Sequence, residues 1–291
     1  MSNEWFEEIA PGGDLIMKWK TSKHLFSKKS PFQQVDIYET TGYGKLLAHD
    51  HVVMATEKDE FIYHDMITHV PLFTHPNPKN VLIIGGGDGG TAREVLRHKS
   101  VQHVDMVEID PVVLDAAREW LPQTSCEFNN PKLKLHVADG VDFVKKATMK
   151  YDVCIVDSSD PIGPATPLFN IDFYRDVFNC LTDDGIVVSQ CESPYYHNEM
   201  QKTMLGILSQ LFPKTHLYGY TNLSYPGGYW GFSFASKKLC PFADFDAKRT
   251  EGWDFQYYHA GLQFGAFQIP SFLKKLYAEY LTPLPQIGVK K

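Results

Sequence analysis

The sequence predicts an α/β fold, with a doubly wound, mostly parallel sheet of seven strands behind a small antiparallel N-terminal β domain. Three observations lead there. From about residue 81 onward, apolar strand-like runs alternate with amphipathic helical runs, the mark of βαβ units. The stretch before residue 56 sustains no helical period and reads as strands. Only Asn222 to Gly228 separates the last two apolar runs, too short a link for a crossover, so those strands should be antiparallel neighbours. The chain divides accordingly into 1–56 and 57–291.

In the first part, Leu15 to Trp19 and Phe32 to Tyr38 are candidate strands. Lys45-Leu46-Leu47 and Val52 to Ala55 flank His49-Asp50-His51, which reads as a tight hairpin. Thr56-Glu57-Lys58-Asp59 fits a capping box opening a helix through Val70, with an apolar stripe of Phe61, Ile62, Met66, Ile67 and Val70. Pro71 should stop it. After a Pro- and Asn-rich connector, strands are predicted near 81–84, 103–107, 133–137, 152–156, 185–190, 215–220 and 229–235. Helices are predicted near 91–98, 111–120, 140–147, 171–181 and 197–211. The connection Ser158 to Asn170 is long and proline-rich, and reads as a surface loop or as a lid over a site.

Composition narrows the function classes. The net charge is −7 with no basic block, which argues against a nucleic-acid partner. No apolar run approaches a membrane span, and the start does not resemble a signal peptide. Five scattered cysteines without a C-x-x-C pair read as reduced thiols of a cytoplasmic protein. The twelve histidines include no H-x-x-x-H pair on a helix, so no metal site is expected.

The chemistry gathers at the predicted strand ends. Val81 to Ile84 runs straight into Gly85-Gly86-Gly87-Asp88-Gly89-Gly90 and then a helix, a nucleotide-type turn. Glycines there let backbone approach a ligand, but Asp88 would repel a phosphate and so favours a nucleoside without one. The next strands end in Glu108, in Asp139-Gly140, in Asp157-Ser158-Ser159-Asp160, and in Gln190 and Glu192. Acids at successive strand ends repel one another unless a cation or polar ligand meets them. Asp110 and Asp139 can also serve simply as helix caps. Trp19 and Trp230 read as core or pocket wall, and His197 as a surface residue.

Together, Gly85 to Gly90, Val107-Glu108-Ile109-Asp110 and Asp157-Ser158-Ser159-Asp160-Pro161-Ile162-Gly163-Pro164 resemble the polyamine aminopropyltransferases, the spermidine synthase family. Glu60 to His64 and Ser30 to Gln33 are similar to it too, and the likeness runs from about residue 4 to about 280. The resemblance implies a sheet like that of S-adenosylmethionine-dependent methyltransferases. It implies transfer of an aminopropyl group from decarboxylated S-adenosylmethionine to putrescine, giving spermidine and 5′-methylthioadenosine. The nucleoside is a co-substrate, and no metal or cofactor takes part. Gln33, Asp88, Glu108, Asp139, Gly140 and Pro164 would hold the donor. Asp157 would be the base, and Tyr63, His64, Asp157, Asp160, Gln190 and Tyr225 would place the amine. A homodimer or homotetramer would be assembled partly through the N-terminal domain. Leu223 departs from the family's usual proline before Tyr225, and His64 is often glutamine there.

The chemistry also stands without the family. A sulfonium donor carries its own leaving group, so alignment and a base for the amine suffice. Cadaverine, agmatine or spermidine are alternative acceptors, since one methylene is worth only about 1–3 kcal/mol. A methyltransferase on the same fold and a non-catalytic nucleoside binder are the rival classes. Asp88 and the two acids of Asp157 to Asp160 oppose the first, and the full set of acids opposes the second.

Overall fold

A computed structural model describes residues 4–10, 12–160 and 163–285. The N-terminal part is an antiparallel meander of β1 (Glu4–Ile9), β2 (Ile16–Lys29), β3 (Gln34–Thr40), β4 (Lys45–His49) and β5 (Val52–Thr56), paired in chain order. Asp50 and His51 form the β4–β5 turn with φ of 47° and 68°. Two left-handed residues give the mirror-image turn whose twist matches the strands it joins. Strand β1 is not foreshadowed by the sequence pattern, and β2 is far longer than Leu15 to Trp19 suggests.

Helix α1 (Glu60–Thr74) differs from expectation at both ends. Thr56 finishes β5, and Asp59 occupies the position before the first helical turn. The Asp59 carboxylate caps nothing in the helix. It accepts the Thr56 hydroxyl and the backbone N–H groups of Leu223 and Ser224, at 3.1 and 2.8 Å. The helix then runs through Pro71 for another turn. Proline inside a helix costs about 3 kcal/mol when nothing compensates. Here the Arg249 guanidinium donates to the carbonyls of Leu72, Phe73 and His75, so a remote side chain supplies the stop. Every residue of α1 except Phe61 is buried, so its stripe is a whole circumference.

The second sheet contains β6 (Asn80–Gly85), β7 (His103–Glu108), β8 (Leu133–Val137), β9 (Tyr151–Asp157), β10 (Leu181–Gln190), β11 (Lys214–Thr221) and β12 (Tyr229–Ser236), ordered β11-β12-β10-β9-β6-β7-β8. It is the seven-stranded sheet that the alternation predicts. Only β12 is reversed, lying antiparallel between β10 and β11. Helices α2 (Gly90–Leu96), α3 (Pro111–Trp120), α4 (Gly140–Lys146), α5 (Ile171–Cys180) and α6 (Asn198–Leu211) cross between strands. Alternate residues of each strand enter two cores. Val81, Ile83, Val153 and Ile155 pack with α1, while Leu82, Ile84, Cys154 and Val156 pack with α5 and α6. Burial on both faces is why these strands read as continuous apolar runs.

The chain winds outward in both directions from neighbouring β6 and β9, so the sheet's switch point opens at the ends of those two strands, where Gly85 is paired with Asp157. In open α/β sheets this is where ligands bind.

Beyond β12, α7 (Ala260–Ala266) and α8 (Ser271–Leu276) close the chain onto the sheet. Asp65 on α1 anchors this segment by accepting the N–H groups of Tyr257 and Tyr258 at 2.8 and 3.0 Å. Behind it, His69 bridges Asp65 and Glu94. This is the one group of potential metal ligands found among the described residues. Its atoms are already engaged by one another, by His98, and by Arg93 and Arg97. It serves as a buried clamp between α1, α2 and the C-terminal segment.

Candidate active site

The glycine turn builds the floor of the crevice. A Cβ on Gly87 would strike the Glu108 carboxylate, and one on Gly90 would overlap the His64 ring. The bare turn therefore makes room first for the protein's own charged groups. That extends the expectation that the glycines clear space for a ligand.

Asp157 ends β9 at the centre of the crevice. Its Oδ1 accepts the Tyr63 hydroxyl at 2.7 Å and its Oδ2 accepts the Thr91 hydroxyl at 2.6 Å. Tyr63 projects from α1 and Thr91 from the first turn of α2, so two helices fix one carboxylate. Burial, followed by the charge of Asp88, raises the Asp157 pKa, while His64 and the two hydroxyls pull the other way.

Asp88 accepts the Gly90 N–H at 2.7 Å, and its other oxygen lies 3.3 Å from His64 Nε2. His64 Nδ1 is 2.5 Å from Glu60, which Arg93 grips through two nitrogens at 2.9 Å each. The result is a buried row of alternating charges: Arg93, Glu60, His64, Asp88. Burial opposes a charge on His64, but Asp88 and Glu60 together hold its pKa well above the ordinary value. Asp88 stays below its ordinary value despite burial, chiefly because His64 faces it.

On the other side of the turn, Glu108 accepts the Asp110 N–H at 2.9 Å, and burial pushes its pKa up to about 7. Asp110 caps α3 and also receives the Ser30 hydroxyl and the Gln33 amide, so it ties the first sheet to the second. Asp139 caps α4 through the Val141 and Asp142 N–H groups and also lines the cavity. It is thus a helix cap and a cavity residue at once.

At the far end, the Gln190 amide donates to Asp160 at 3.2 Å and to Glu192 at 3.3 Å. Burial, then the charge of Glu192, pushes Asp160 up to about 8. Glu8, reaching in from β1, is raised to about 7 by burial and accepts the Val53 N–H. Tyr225 closes the wall, its hydroxyl donating to the Met54 carbonyl at 2.6 Å. The loop holding Tyr225 is the one that Asp59 pins. Leu223 points outward and donates its N–H to Asp59, a bond that a proline could not make.

One cavity thus brings together Gln33, Tyr63, His64, Asp88, Glu108, Asp139, Gly140, Asp157, Asp160, Gln190 and Tyr225. Pro164 lies in a short 3₁₀ helix, Gly163–Phe169, within the connection read as a loop or lid; its side chain is outside the described residues, as are Pro161 and Ile162. One reading is corrected. His197 is no surface residue but part of the cavity wall, 2.8 Å from Glu192. Thr91, Glu60 and Glu8 were not singled out for the site from the sequence. Thr91 and Glu60 look like ordinary helix residues there, and Glu8 belongs to the strand the pattern did not reveal. The roster of acids at strand ends already included Glu192.

Comparison with known proteins agrees with this geometry. Residues 60–247 match the family model for the spermine/spermidine synthase domain, and residues 4–57 match that for the spermidine synthase tetramerisation domain. A polyamine aminopropyltransferase of Alkaliphilus metalliredigens (strain QYMF) is 48% identical over 89% of this chain and 93% of its own. One of Methanocaldococcus jannaschii is 44% identical over 93% and 94%. A crystal structure of spermidine synthase in complex with the transition-state analogue AdoDATO superposes with a TM-score of 0.93 at 39% identity, covering 96% of both chains. That of the Thermotoga maritima spermidine synthase gives 0.90 at 38% identity, covering 96% and 95%. With family models matching both sheets and relatives matching nearly end to end, the chain belongs to the polyamine aminopropyltransferase family.

Proposed function

We propose that this enzyme is a spermidine synthase, transferring the aminopropyl group of decarboxylated S-adenosylmethionine to putrescine with Asp157 as base. The observation that carries the reading is the Asp157 carboxylate, half-buried between two hydroxyl donors with further acids on both sides of it. The donor lies on the glycine-turn side, its ribose toward Glu108, its adenine toward Asp139 and Gly140, with Gln33 and Pro164 completing the seat. The acceptor lies between Tyr63, Asp157, Asp160, Gln190 and Tyr225.

The acceptor nitrogen attacks the propyl carbon in line with the sulfonium. A C–N bond forms, the C–S bond breaks with its electron pair going to sulfur, and the amine's proton passes to Asp157. The acceptor must first shed its ammonium proton. With a pKa near 10.4, that costs about 4.6 kcal/mol at pH 7. A buried pocket disfavours the ammonium form, and the raised pKa of Asp157 makes it a better proton acceptor once ionised. Asp160, with Glu192 and Glu8 near it, holds the acceptor's second ammonium.

The donor keeps an amine where S-adenosylmethionine has an amine and a carboxylate. Asp88 attracts that amine and repels a carboxylate. Asp88→Asn should therefore lose about tenfold or more of the preference for the decarboxylated nucleoside; equal preference in variant and wild type counts against it.

An oligomer assembled through the N-terminal sheet and a cytoplasmic setting complete the reading. The tetramerisation-domain match supports the first, and three buried thiols among five cysteines support the second. The deciding experiment is an amine panel with decarboxylated S-adenosylmethionine, reading methylthioadenosine release. Putrescine should give the highest kcat/KM. A flat response to putrescine beside a strong one to agmatine, cadaverine or spermidine overturns the acceptor assignment. Turnover of S-adenosylmethionine with methyl transfer overturns the reaction.

A further inference from the structure

The far end of the cavity pairs a histidine with a buried acid. His197, at the start of α6, lines the cavity with Asp160 and Gln190, while Glu192 stands behind them fully buried. His197 Nδ1 lies 2.8 Å from Glu192 Oε2, an ion-pair distance, yet the two are poorly aligned for a hydrogen bond. Gln190 Oε1 is also buried without a partner. The site therefore contains acceptor atoms that the protein itself leaves incompletely satisfied, which is unusual unless a ligand supplies the donor.

The backbone is arranged around this group. Glu192 has a φ of 60°, a left-handed conformation uncommon outside glycine. Its carbonyl is held by the Gln201 amide at 2.8 Å and the Gly231 N–H at 3.0 Å. Strained residues fixed this firmly concentrate at functional sites. The charged groups acting on His197 are Glu192 and Asp160, and the Trp230 ring lies edge-on at 6.4 Å. Glu8 reaches the same cluster through Asp160.

We propose that His197 is a specificity-determining residue, a cation beside Glu192 that weakens the hold of Asp160 on its proton, so that Asp160 and Gln190 can seat the second ammonium of a diamine acceptor. Without it, Asp160 would hold its proton more tightly, and an incoming ammonium would have to expel that proton at greater cost. This rests on the reading of Asp160 as the seat of the far ammonium. Burial opposes charge on His197, but Glu192 and then Asp160 raise its pKa, consistent with a resident cation.

The test compares putrescine with n-butylamine, equal in chain length but lacking the second ammonium. His197→Gln should lower kcat/KM for the diamine about tenfold more than for the monoamine at pH 7, mostly in KM. The gap should narrow by pH 9, as Asp160 loses its proton without help. His197→Lys, which keeps the charge, should restore much of the difference. An equal loss for both amines, or a gap that does not depend on pH, overturns the proposal and leaves His197 a packing residue. Asp160→Asn serves as the control. If it leaves the diamine preference intact, the acceptor seat itself is misplaced and the proposal falls with it. If it abolishes the preference while His197→Gln does not, only the role of His197 fails.

Discussion

The decisive contacts are made by residues of ordinary appearance. Thr91 follows the glycine turn and looks like the first residue of a helix, yet its hydroxyl holds one oxygen of Asp157 while Tyr63 holds the other. If Asp157 is the base, as proposed, it must be ionised to take a proton, so activity is lost as pH falls through its pKa. Thr91 lowers that pKa. Thr91→Val should therefore move the acidic limb of kcat to higher pH and reduce kcat several-fold at pH 7, while Thr91→Ser keeps the wild-type limb. Asp157→Asn should cost about 10²–10⁴-fold in kcat with the fold intact by circular dichroism. A Thr91→Val limb identical to that of wild type would mean that the bond does not tune the base.

Among the elements, α1 departs most from the sequence pattern and lines the cavity with Glu60, Tyr63 and His64. It presents Tyr63 and His64 to the cavity, Asp65 and His69 to the C-terminal segment, and Asp59 just before its first turn to the Tyr225 loop. A capping box is the natural local reading of Thr56 to Asp59, because local hydrogen bonds are all that sequence spacing can encode. Two backbone N–H groups from 164 and 165 residues away compete for the same carboxylate and win. Asp59→Ala should loosen the Asn222 to Gly228 turn. The expected result is a several-fold rise in acceptor KM, little change for the donor, and a loss of about 1 kcal/mol in urea unfolding, because the Leu223 N–H loses its acceptor while the Ser224 N–H keeps Asn222 Oδ1 at 3.0 Å. Matching rises in both KM values would indicate a general loss of structure instead.

At the scale of the whole molecule, Glu8 makes stability depend on pH in the direction opposite to that of salt-bridged acids such as Glu60 and Glu94. Glu8 rises from 4.5 to about 7 on folding, because burial disfavours its charge. A group that binds its proton more tightly when folded contributes stability below its unfolded value and loses that contribution as pH rises through the folded one. For Glu8 the window runs from about pH 4.5 to 7, and the shift is worth up to about 3 kcal/mol. Glu8→Gln should raise Tm at pH 8 and leave it nearly unchanged at pH 4.5. An equal effect at both values would show that the gain comes from packing. The N-terminal sheet also bears Trp5, Ile9 and Ile16 exposed on the β1–β2 hairpin, where Ile9 pairs with Ile16. If that face joins copies of the chain, Trp5→Glu with Ile9→Asp should lower the mass seen by light scattering. An unchanged mass would place the interface elsewhere.

The sequence by itself determined the sheet, its reversed last strand, the glycine turn and the row of acids at strand ends, because each is written in a short window. Apolar runs mark strands buried on both faces, loop length forbids a crossover, and strand ends in such sheets converge on one crevice. Only the tertiary structure decided how those acids are kept apart in charge. Asp88 is balanced by His64 and Glu192 by His197, while Asp157 is tied to hydroxyls from two helices. It also decided that Glu8 crosses from the N-terminal sheet into the cavity, from a strand with no local signature. Coulomb and hydrogen-bond energies depend on distance and burial, and neither is a property of spacing along the chain.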